Sequence, residues 1–210
     1  MNPLEYPFCL ASRSAGIVAY LLLSGSVILG LATTTRLVTG RDVRVLHERI
    51  ALLALGAVAA HALLLLPDGW LQPKLYEVLI PFTTGYRPLW TGLGILAAYG
   101  AVGLSLTYYA RRRLGSRRWR TAHRFIPIAW ALAAAHVIGA GTDAVSLWLE
   151  AILAATIAAI AVLLAQRWLS GRERPPAAEP TPGRPPAAEP DPAPPPQPAR
   201  KYAGELGLFR

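Results

Sequence analysis

Four histidines are the residues of this sequence whose type and spacing could do chemistry. His47 and His61 lie in one apolar stretch and His123 and His136 in another, and no other histidine occurs. A lone histidine in an apolar helix is commonly a packing or hydrogen-bonding residue. Polar side chains at membrane depth, however, are costly and tend to mark function. Two pairs on two apolar segments are harder to assign to packing than one residue would be.

Within each segment the histidines are 14 and 13 residues apart. On a helix a spacing of 14 returns to within about 40° of the starting face and covers roughly 21 Å along the axis. His47 and His61 can therefore look the same way at two depths. A spacing of 13 leaves about 140° between His123 and His136 on an ideal helix. Pro127 follows His123 by four positions and removes the hydrogen bond to that carbonyl, so a kink there is expected to re-aim the pair.

Such spacing does not suit a zinc or di-iron site, which gathers its ligands at one point, often with carboxylates. Two pairs at two depths suit two stacked hemes, each held between two imidazoles. The chain has one cysteine, Cys9, and its one methionine is Met1. That excludes an internal disulfide and covalent CxxCH attachment, and it leaves no internal methionine to ligate iron.

The elements that must position these residues are membrane helices. Charged residues are only 16% of the chain and hydrophobic ones 53%, and long apolar runs alternate with short arginine-rich ones, the layout of a polytopic membrane protein. Five spans are expected, Ala15–Leu31, Val45–Leu66, Leu89–Tyr109, Ala122–Ala140 and Leu147–Trp168, giving an all-α transmembrane bundle. The first run lacks the marks of a cleaved signal and reads as a retained helix.

The net charge of +9 comes from arginines placed between spans, so topology explains it better than nucleic acid does. Arg36, Arg41 and Arg44 fall in one loop, Arg111 to Arg120 in another, and Arg172 and Arg174 follow the last span. The positive-inside rule then predicts a plasma-membrane protein with its N-terminus outside and its C-terminus in the cytoplasm. On that topology the histidine-bearing spans run in the same direction. His47 and His123 fall at one depth, near the arginine-rich side, and His61 and His136 at the other.

The outer segment Pro67–Pro88 is rich in aromatics, including Trp70, Tyr76 and Phe82, and is expected to form a short surface helix, with a re-entrant cap as the alternative. Arg87 stands alone on the outer side near a span start and is a candidate partner for a heme propionate. Arg44 and Arg124 flank the inner histidines, where topology alone accounts for them. From residue 171 onward Pro, Ala and Glu dominate and RPPAAEP occurs twice. This predicts a heme-binding membrane domain over residues 1–170 and a disordered cytoplasmic tail over 171–210.

These residues resemble the ferric reductase-like transmembrane domain, a superfamily that includes ferric reductases, the membrane part of NADPH oxidases and the heme subunit of bacterial methionine sulfoxide reductase systems. The resemblance rests on the two histidine pairs, on PFTTGYRPLWTGLG from Pro81 to Gly94, and on RRWRTAHR from Arg117 to Arg124, and it spans about Ser14 to Leu169. It implies two b hemes with His47, His61, His123 and His136 as iron ligands, and single-electron transfer across the membrane. Family members carry six helices where five are read here. No Gly-rich nucleotide loop follows the last span, so the flavin and nicotinamide portion of the larger family members has no expected counterpart. The chain reads as the heme-bearing component of an oxidoreductase, served by a separate donor or acceptor protein such as a flavoprotein and surrounded by lipid. The alternatives are a non-redox scaffold recruiting partners through its Pro-rich tail and a transporter using histidines as proton relays.

Overall fold

A computed structural model describes residues 6–69 and 71–172. The chain is all-α there, with eight helices: α1 Tyr6–Thr34, α2 Arg41–Leu65, α3 Leu75–Leu79, α4 Pro88–Tyr109, α5 Arg111–Leu114, α6 Ser116–His123, α7 Ile126–Ala140 and α8 Leu147–Arg172. Apart from the two helical residues Gly171 and Arg172, the expected Pro-rich tail lies outside the described residues, as does Trp70.

Four helices, α1, α2, α4 and α8, are long and apolar enough to cross a membrane. The chain is a multi-pass membrane protein. Exposed side chains agree with a lipid solvent. On α2 only Ala54 is buried, while Leu52, Leu53 and Leu63 are exposed. In water such leucines would forgo roughly 25 cal/mol for each Å² left uncovered; lipid tails remove that cost.

The fourth expected span is corrected. Ala122 to Ala140 do not form one helix. Instead the chain turns at Arg124 and Phe125, leaving α6 to end at His123 and α7 with 15 residues. At 1.5 Å per residue α7 covers about 22 Å, less than the ~30 Å hydrocarbon core. Pro127 sits in the first turn of α7, where its missing N–H costs nothing. It cannot donate to the carbonyl of His123 and its ring crowds that carbonyl, so a continuous helix is disfavoured there. The expected kink is thus a full break.

The other boundaries have local causes. Thr33, Thr34 and Thr35 turn their hydroxyls back onto the carbonyls of Gly30, Leu31 and Ala32 as α1 ends. Gly115, at φ +82°, lets the chain reverse between α5 and α6. The Pro67–Pro88 segment contains the expected short helix, α3, five residues long.

Helices α1 and α2 pack along their length, and so do α4 and α7, while α8 lies on α1. The core forms where α1, α7 and α8 meet, from Tyr20, Val27, Leu31, Trp130, Leu149, Leu153 and Ile160. Two polar ties pin it. Trp130 Nε1 donates to Ser24 Oγ at 2.9 Å, and Tyr20 Oη lies 2.7 Å from Thr156 Oγ1. Helices α2 and α7 hardly approach each other by backbone, and the histidines of α2 meet those of α6 and α7 ring to ring across the gap.

Candidate functional site

The structure brings the four histidines together in two pairs. His47 of α2 faces His123 at the end of α6, and His61 of α2 faces His136 of α7, each with ring centroids 6.3 Å apart. The ring planes cross at 89° and 69°. A ring nitrogen meets a metal ion at about 2 Å and lies roughly 1.1 Å from its ring centre, so two imidazoles on opposite sides of one ion stand about 6.2 Å apart. The observed spacing fits one ion between each pair.

Three of the rings are fixed by the same local device. His61 Nδ1 donates to the carbonyl of Ser12 at 2.8 Å, His47 Nδ1 to that of Ser26 at 3.0 Å, and His136 Nδ1 to that of Trp90 at 2.9 Å. A carbonyl can only accept, so each Nδ1 carries the proton. Each Nε2 is then left with a lone pair, the form a metal ligand needs.

Four residues beyond each carbonyl stands a glycine: Gly16, Gly30 and Gly94. A Cβ there would come within 3.0 Å of His61, 3.1 Å of His47 and 2.5 Å of His136. The bare backbone is what lets each imidazole lie against the neighbouring helix and reach its carbonyl. The serine hydroxyls add to this, 3.4 Å from His61 Nδ1 and 3.3 Å from His47 Nδ1.

These supports were not singled out from the sequence, yet a signal for two of them is there. Ser12 and Gly16 recur as Ser26 and Gly30 with a shift of 14, the same 14 that separates His47 from His61. With α1 and α2 antiparallel, equal spacing on both helices is the condition for one contact to be made twice. Gly94 and Trp90 fall inside the run from Pro81 to Gly94, but their contact with His136 depends on how α4 packs on α7.

The fourth histidine differs. His123 Nδ1 is buried and has no hydrogen-bond partner among the described residues, and the same holds for Trp119 Nε1. The two rings lie 5.7 Å apart with planes at 35°. Trp119 in turn lies 5.9 Å from the Tyr108 ring, over which the Arg111 guanidinium is placed.

Arg87 caps α7. Its Nη1 donates to the carbonyl of Gly139 at 2.5 Å, and Tyr86 Oη reaches that of Ala140 at 3.3 Å. A cation at a helix C-terminus satisfies free carbonyls and favours the helix dipole. A guanidinium has five N–H donors, so this bond leaves others for a second acceptor. Arg13 and Asp143 form an ion pair between α1 and the loop before α8.

Residues 15–134 match the sequence family described as ferric reductase like transmembrane component. The match takes in His47, His61 and His123 and stops two residues short of His136. No curated protein and no solved structure matches the chain.

Proposed function

The chain belongs to the ferric reductase like transmembrane component family, and from that premise we propose that it passes single electrons across the membrane through two b hemes. It is a transmembrane redox component. The observation that carries the finer reading is the pair of facing imidazoles, repeated at two depths, with centroids 6.3 Å apart.

In this reading His61 and His136 hold an outer heme, and His47 and His123 an inner one. Heme iron supplies reversible one-electron exchange. The protein does the rest. The carbonyls of Ser12, Ser26 and Trp90 hold protons on Nδ1, fix the tautomer and aim the Nε2 lone pairs. Gly16, Gly30 and Gly94 let the rings sit close to α1 and α4. The apolar side chains of α2 and α7 would keep water from a heme held there. Arg87, anchored by one N–H to Gly139, would have further donors to offer an outer propionate. A separate protein, a flavoprotein on the family pattern, exchanges electrons at the arginine-rich side.

Replacing each histidine by alanine tests the assignment. His61→Ala and His136→Ala should lose the same heme, and His47→Ala and His123→Ala the other, read as heme content and as missing waves in a potentiometric titration. The same titration reads Arg87→Ala. Loss of a nearby cation favours the ferric state, so one wave should fall and the other stay. Four histidine variants with full heme content and unchanged waves would refute the pairing.

A further inference from the structure

Three of the four histidines share one support and the fourth does not. His47, His61 and His136 each donate Nδ1–H to a carbonyl and lie over a glycine four residues on. His123 has neither. The aromatic ring beside it is that of Trp119, one helical turn earlier, 5.7 Å away and tilted by 35°. His123 is also the last residue of α6 and borders the break before α7, so its own backbone holds it less firmly than a mid-helix position would.

We propose that Trp119 is the positioning residue of His123, and that the pair it serves, His47 with His123, is the more readily reduced and more exchangeable of the two sites. The inference rests on the heme reading above. An Nδ1–H bonded to a carbonyl gives the imidazole more anionic character and makes Nε2 a stronger donor, which favours ferric iron. The outer pair has two such bonds and the inner pair one. On these bonds alone, a heme held by the inner pair would be reduced at the higher potential. Trp119 is itself braced by Tyr108, and the Tyr108 and Tyr109 hydroxyls reach Glu48, next to His47. This aromatic wall takes the place of the carbonyl and glycine used elsewhere. It restrains the ring by packing, without polarising it.

Wild type, Trp119→Leu, Trp119→Phe, His123→Ala and His136→Ala should be titrated potentiometrically, with heme content measured on each. Carbon monoxide should be added to each reduced sample, since it reports a displaced axial ligand. In wild type the upper wave should be the one missing from His123→Ala. Trp119→Leu should keep both hemes, shift the upper wave alone and open that heme to carbon monoxide. Trp119→Phe restores a flat ring and should behave as wild type. If the upper wave is instead the one missing from His136→Ala, the inference is wrong, and this arm needs no Trp119 variant. It is also wrong if Trp119→Leu leaves both waves and the carbon monoxide response unaltered. A wild type without heme would overturn the functional reading and this inference with it; two hemes with no effect at Trp119 would overturn the inference alone.

Discussion

One methyl group decides whether His136 can keep its place. An alanine at 94 would put its Cβ 2.5 Å from Nδ1 and 2.6 Å from Cγ of that ring. Overpacking of this kind costs about 1–3 kcal/mol, against about 1 kcal/mol net for the Nδ1–H bond to Trp90. The ring must yield. Gly94→Ala should therefore lose the outer heme and keep the inner one, read as heme content and as one missing wave. Gly25 has nothing within 4 Å of an added Cβ, so Gly25→Ala should keep both hemes and, by helix propensity, gain a little stability. Equal heme content in the two variants would show that the glycine contact does not position the ring. Gly16 and Gly30, with clearances of 3.0 and 3.1 Å, should fall between them. At this scale the sequence disclosed the four histidines but little of what supports them. Arg87 could be picked out as an arginine near a span start on the side expected to be poor in arginine, and its bond to Gly139 could not, because that needs the end of α7 in place beside α4. The buried Nδ1 of His123 was likewise invisible, since the environment of a nitrogen depends on three helices at once.

At the scale of elements, the break between α6 and α7 reconciles two facts that conflict on a straight helix. His123 and His136 differ by about 140° in direction when their 13-residue separation is wound as one α-helix. The turn at Arg124 and Phe125 puts them on separate helices, so each can face its partner on α2. Two short bonds, from Phe125 N to Ala122 O at 3.0 Å and from Ile128 N to Phe125 O at 2.9 Å, shape that turn. Pro127→Ala restores the donor that a through-helix needs and removes the ring that blocks it. His123 should then rotate off His47, and heme content should fall by about half, with the His61 and His136 wave retained. Unchanged content in Pro127→Ala would mean that packing of α6 on α4, and not proline, sets the break. Helix existence was legible from apolar runs and arginine loops. The exact form of the fourth was not, because proline marks a disturbance and the neighbouring helices decide between a bend and a break.

Across the whole molecule, apolar helices and the family match make it a multi-pass membrane redox component, and the remaining organisation follows as proposal. Arginines fall in the α1–α2 loop, in α5 and α6, and after α8; by the positive-inside rule we propose that this end of the bundle faces the cytoplasm and the N-terminus lies outside. A fluorescent protein fused at the C-terminus should then be bright, and a periplasmic phosphatase fused there inactive; the reverse would invert the topology and exchange the inner and outer labels of the two pairs. The central claim is narrower and can be weighed directly. In each pair the imidazole centroids stand 6.3 Å apart, the spacing that one iron held between them would need, so on the proposed reading the purified full-length protein, made in heme-replete cells, should carry about two non-covalent b hemes per chain by pyridine hemochromogen assay against a protein determination, with a low-spin bis-imidazole spectrum. A value near zero would contradict the account, and a value near one would leave only one of the two histidine pairs as a heme site.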